Sequence, residues 1–192
     1  MADQTGEVTA GAVARLRATA HPLRLRILSL LTAEAMSAAD VARALGVTHA
    51  NASYHLRVLH AIGELVVESE EKIRGGVAKR YRYDATRDLP AQGAEVGDRI
   101  AYARATAVEV ERRLLDVAPG HSSSSDLEAW VPVEAWHRAV QLLHEASHVL
   151  HAAARPAGTP DTVHVSATST AFTMTGGLTG DAVRWTPSEE PR

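Results

Sequence analysis

Apolar and polar residues along the chain follow a helical period first, a strand period next, and a helical period again. Val8 to Ala20 is helical in composition and stops at His21-Pro22. Pro22 can open a second helix, because its missing N–H is no loss in a first turn. Leu25, Leu28 and Leu31 then recur at helical spacing. Ser37 stands before AADVARALG, with Asp40 three residues on. Ser37 suits an N-cap, and Asp40 favours the positive end of the helix dipole. Val41 and Leu45 face inward, and Gly46 stops the helix. Thr48 caps the next helix, HANASYHLRVLHAI, which runs to Gly63. Past Gly63 the pattern turns strand-like in ELVVES. Gly75-Gly76 marks a turn, and AKRYRYD alternates basic and aromatic residues, so a hairpin is expected.

The second half returns to the helical period. Residues 91–117 predict one long helix on which Val96, Ile100, Ala103, Ala107, Val110, Leu114 and Val117 keep a heptad seam. Its central alanines would let two helix backbones approach closely, so the expectation is an interface between two chains. APGHSSSSD (118–126) reads as a linker. LEAWVPV reads as a short strand, Glu134 to Ala154 as a helix, and TVHVSATSTAFTM as a β-branched strand. The tail, 175–192, reads as flexible. The expected segments are 8–84, 91–117, 127–174 and this tail.

Composition narrows the chemistry. Cysteine is absent, which excludes disulfides, thiolate metal sites and cysteine nucleophiles. No apolar run approaches the ~18 residues of a membrane span, and MADQTGEV has no secretory pattern. No membrane partner and a cytoplasmic location are therefore expected. Net charge is −3 overall but divides unevenly. Residues 1–84 carry 11 basic and 9 acidic side chains, a net of +2; residues 85–192 carry 9 and 14, a net of −5. Basic and acidic tasks look segregated.

Two helices joined by a short glycine-containing turn, Ser37–Leu45 and Thr48–Ile62, form a helix-turn-helix candidate. At 100° per residue, Ala52, Leu56 and Leu59 fall on one side of the second helix. Ala50, Asn51, Tyr54 and Arg57 fall on the other. Asn can bridge adenine N6 and N7, Tyr can meet phosphate or base edges, and Arg can reach guanine or phosphate. Ala50 is small enough to let the helix sit deep in a groove, and the candidate surface begins at Thr48. Lys72, Arg74, Lys79, Arg80 and Arg82 in the hairpin would add sequence-independent affinity for duplex DNA. A solvated surface accounts for any one of these residues equally well.

HPLRLRILSLL, SAADVARALGVTHANASYHLRVLHAIGEL and RYRYD together resemble the winged helix-turn-helix of ArsR-type bacterial transcriptional regulators, over roughly residues 15–84. The resemblance implies a fold that is mainly α with a small β-wing. The chain would then be a winged helix-turn-helix plus a long dimerisation helix and a C-terminal α+β extension. It implies a homodimer on an inverted-repeat operator, with a recognition helix in the major groove of each half-site. By position, His49, Ala50, Asn51, Ser53, Tyr54 and Arg57 would face the bases. A winged-helix interaction module without DNA readout is the alternative. Residues 118–192 exceed the smallest members of that family. They suit a small-molecule effector pocket, an enlarged dimer interface or a partner surface, and the sequence leaves these three open.

Ten histidines occur, four of them in one predicted helix: His137, His144, His148 and His151. They span about 60° of its circumference, opposite Leu142, Leu143, Ala146, Val149 and Leu150. They read as a stripe on the face away from the core. His144 and His148 form an i,i+4 pair of the kind that binds zinc. His137, His148 and His151 match the last three ligand positions of some metal-sensing ArsR-type proteins, which use Asp-x-His-x10-His-x2-His/Glu. Ala135 stands at the Asp position, and the helix after the wing, where that motif belongs, has no histidine. No metal and no other cofactor is therefore expected, and a metal-responsive regulator is the minor alternative. An enzyme is not expected either. No G-x-S-x-G or H-E-x-x-H occurs, and TGGLTG (175–180) lacks the phosphate-loop lysine.

Overall fold

The computed structural model describes residues 2–73, 76–83, 94–120 and 122–174, with side chains from residue 11 onward except at 73. Among these residues it contains six helices and a three-stranded antiparallel sheet. Helix α1 (Ala2–Thr19) ends where Pro22 opens α2 (Pro22–Leu31). Strand β1 is only Met36–Ser37; α3 (Ala38–Leu45) and α4 (His49–Ala61) follow. Strands β2 (Leu65–Ile73) and β3 (Gly76–Tyr83) form the hairpin, then come α5 (Val96–Leu114) and α6 (Val133–Ala153). The architecture is a winged helix with additional helices.

Local chemistry sets the helix ends. Ser37 and Asp40 close a full capping box: the Ser37 hydroxyl accepts from the Asp40 N–H, and the Asp40 carboxylate accepts from the Ser37 N–H. Gly46 takes the left-handed conformation, φ 65°, that turns α3 toward α4. Thr48 accepts from the Asn51 N–H at the start of α4. These three positions fix the angle between the two helices.

The core lies under that turn. Ile27, Leu28 and Leu31 of α2 meet Val41 and Ala42 of α3, and Ala52, Leu56 and Leu59 of α4. Leu65 of β2 and Tyr81 of β3 close it. The sheet runs β1-β3-β2, pairing Met36 with Tyr81 and Leu65 with Tyr83, with a bulge between Val67 and Ser69. β1 had no signal in the sequence, since two residues cannot show alternation. Helices α1 and α2 both pack on α5. A buried ion pair ties α1 to the α4–β2 junction: Arg15 Nε donates to Glu64 Oε1, and the Glu64 side chain is fully shielded from solvent.

The C-terminal extension departs from the strand–helix–strand expectation. Neither 127–133 nor 162–174 forms a strand; α6 takes Val133, and the rest is irregular. Leu127, Trp130, Val163, Val165 and Phe172 are exposed. Alternation makes a segment fit for pairing, but a ladder also needs a partner strand, and among the described residues neither segment pairs with one. The extension is therefore helical rather than α+β. The expected tail, 175–192, lies outside the described residues.

Helix α6 also reverses the face expected of it. It buries no residue. Its half-covered positions, Val133, Trp136, His137, Val140 and His144, fall within roughly 100° on the histidine side. Leu142, Leu143, Val149 and Leu150 are exposed instead. The His151 ring lies 6.0 Å from the Tyr83 ring. Periodicity identifies an apolar face; what covers that face depends on what the chain brings near it.

Candidate nucleic-acid interface

Helix α4 has two opposite faces. Ala52, Leu56 and Leu59 are fully buried, so the helix cannot roll. Ala50, Asn51 and Arg57 are exposed, Tyr54 is 56% exposed, and His49 is exposed in the first turn. Ser53 is half-buried beside them. The Thr48 hydroxyl is engaged in the cap, and Arg57 Nε donates to the Ser53 carbonyl at 3.2 Å. Together these residues make a short polar ridge carrying an amide, a phenol and a guanidinium. Such a ridge has the donors and acceptors that the edges of bases match.

The hairpin is less basic than its lysines and arginines alone imply. Lys79 pairs with Glu70 at 3.4 Å, and Arg82 with Glu68 at 3.2 Å, across the β2–β3 ladder. Lys72 is exposed, and Arg74 lies outside the described residues. Arg80 turns inward. It donates to the Ala35 carbonyl at 2.6 Å and pairs with Asp40 at 3.5 Å, beneath the first turn of α3. Asp40 is held below the usual carboxylate range, first by its hydrogen bonds with Ser37, then by Arg43 and Arg80. These bonds make Arg80 a brace between β3 and the N-terminus of α3.

One group of residues next to α4 went unnoticed in the sequence. The rings of His21, the N-cap of α2, and of buried His55 lie 4.8 Å apart, and Tyr54 meets His55 edge-on at 5.1 Å. Arg24 lies among them, close enough to interact electrostatically with Tyr54 and both imidazoles. Burial, then the Arg24 charge, lowers the His21 pKa; burial, then His21 and Arg24, lowers that of His55. HPLR by itself signals a helix start; its nearness to His55 comes from tertiary packing, which brings residues 21 and 55 together.

Helix α5 also has two faces. Ala105 and Glu109 are buried, and Glu109 accepts from Arg112 Nε at 3.0 Å. Tyr102 is half-buried on the same side, and this desolvation raises its phenol pKa. On the opposite side the heptad seam is uncovered in the single chain. Val96, Ile100 and Leu114 are exposed, as are Ala103 and Ala107, and Val110 is half-covered. Val117 lies past the helix end. Among the described residues, no three His, Asp or Glu side chains are grouped to hold a metal ion, the His137–His151 stripe included. No described helix is long and apolar enough to cross a membrane.

A family model described as a helix-turn-helix domain matches residues 19–68, from the end of α1 into β2. No curated protein matches the chain. Residues 19–68 are thus similar to a helix-turn-helix domain, a unit whose second helix ordinarily enters the major groove of DNA.

Proposed function

We propose that the chain is a transcriptional regulator of the ArsR-like winged-helix kind, acting as a homodimer on an inverted-repeat DNA site. The observation that carries this reading is α4: three fully buried residues lock it, and the opposite edge presents Ala50, Asn51, Tyr54 and Arg57 to solvent. In this reading α4 enters the major groove, where Asn51 and Tyr54 read bases and Arg57 reaches guanine or phosphate. Lys72 supplies wing charge against the neighbouring backbone. The uncovered seam of α5, Val96 to Leu114, supports pairing of two copies, since an apolar stripe left in water favours burial. The function is binding rather than catalysis.

The glutamate pairs on the wing favour one other reading, a winged-helix interaction module that does not read DNA. Selection of genomic fragments by the purified protein separates the two. A regulator enriches an inverted repeat with half-sites about one helical turn apart; an interaction module enriches no sequence. On the selected site, Asn51→Ala or Tyr54→Ala is expected to cost roughly 1–3 kcal/mol. Wild-type affinity in both variants would remove α4 as the reader.

A further inference from the structure

Several arginines of this chain meet a carboxylate: Arg15 with Glu64, Arg17 with Asp98, Arg80 with Asp40, Arg112 with Glu109. Arg24 does not. It lies one turn into α2 among His21, His55 and Tyr54, and its Nε is buried without a hydrogen-bond partner. His55 is only 6% exposed, and its Nδ1 is likewise buried without a partner. Among the described residues, the groups acting on these three side chains are one another and the Tyr54 phenol, with no carboxylate. An arginine and two imidazoles, partly withdrawn from water and with no counter-charge among the described residues, form a site that an anion completes.

The geometry also says which anion. A metal cation is opposed by the fixed charge of Arg24. A guanidinium fork matches the oxygens of a phosphate. The α2 N-terminus adds its positive dipole end. Its amides are already engaged, however: Leu23 N–H donates to His21 Nδ1, and Arg24 N–H to the His21 carbonyl. Side chains, not amides, would hold the ligand. The cluster adjoins Tyr54, at the edge of the exposed face of α4, which is where the backbone of a duplex lying against that face would pass.

We propose that Arg24, with His21 and His55 behind it, seats one backbone phosphate of duplex DNA at the edge of α4. This rests on the DNA-binding reading above. Arg24 makes the contact. The two imidazoles, facing Arg24 from α2 and α4 beside Tyr54, are positioning residues; His55, whose Nδ1 has no partner, adds charge when protonated, while His21 keeps its Nδ1 lone pair for the Leu23 N–H.

The test is binding of a labelled duplex by the full chain, over a range of salt, for wild type, Arg24→Gln, Arg24→Lys and His55→Gln. Each phosphate contact contributes about 0.9 to the slope of log affinity against log salt. Arg24→Gln should lower that slope by about one, on the selected site and on a scrambled duplex alike, while Arg24→Lys retains most of it. Wild-type affinity should also rise as pH falls below neutrality, because a phosphate favours protonated imidazole, and His55→Gln should flatten the rise. Arg24→Gln with wild-type slope and affinity overturns the phosphate seat alone. Saturable shifts of the His21 and His55 resonances with inorganic phosphate, together with that unchanged duplex slope, would assign the seat to free phosphate and overturn the proposal. Wild type that retains no duplex overturns the DNA-binding reading, and this seat with it.

Discussion

Arg80 donates to the Ala35 carbonyl and pairs with Asp40, so the β1 edge, β3 and the α3 N-terminus meet on one guanidinium. As one of several positive charges on a hairpin, Arg80 would be expected to touch DNA. Its hydrogen bonds give it a bracing role within the fold. Arg80→Ala should lower stability by about 1–2 kcal/mol, the low end for charge-assisted bonds because the side chain is part-exposed. A shift in the urea midpoint measures this, and the salt slope of DNA binding by the folded variant should stay at the wild-type value. His21 and His55 give a second prediction. Both fold with pKa values below the ordinary 6.5, so as pH falls the unfolded chain takes up protons that the folded chain refuses. Their contribution is fully present above about 6.5 and is lost as pH falls through the depressed folded values. The urea midpoint should therefore drop on mild acidification, and drop less in His55→Phe.

At the scale of elements, α5 carries the sharpest contrast. Its buried face touches α1 and α2, and its seam faces water. The same change on the two faces should have different outcomes. Ala103→Glu or Ala107→Glu should leave the chain folded but charge the seam, so sedimentation is expected to show a monomer for the variant and the proposed dimer for wild type. Tight operator binding should go with it, because each half-site alone is weak. Ala105→Glu sets an unpaired charge in the packed face and should unfold the protein instead. A wild-type monomer at micromolar concentration would refute the seam as an interface.

Across the whole molecule, the Arg15–Glu64 pair joins the α1 and α5 layer to the helix-turn-helix. Glu64 is fully buried and lies close enough to Tyr102 to act on its phenol. Arg15→Ala would leave that carboxylate buried without its guanidinium partner, which costs about 3–5 kcal/mol when a buried pair is broken. A large drop in thermal midpoint is expected. Restoring neutrality with Glu64→Gln in the Arg15→Ala background should recover part of the loss.

Local features were legible in the chain itself. Ser37 with Asp40, Gly46, Thr48 and Pro22 act within a few residues of themselves, so the helix ends could be read directly. The buried and exposed edges of α4 followed from 100° spacing, because a core lies on one side only. The two strands of the hairpin followed from alternation and the glycine turn. What only the tertiary structure decided involves partners distant in sequence: β1 pairing with β3, Arg80 reaching Ala35, Arg15 reaching Glu64, and His21 meeting His55 around Arg24. The same reason explains the extension, where alternation at 127–133 and 162–174 did not become pairing, and the apolar side of α6 is left exposed among the described residues. A sequence fixes what each segment can do with itself, since short-range sterics and hydrogen bonds depend on neighbours. Which face meets which partner is set by the packing of the whole chain.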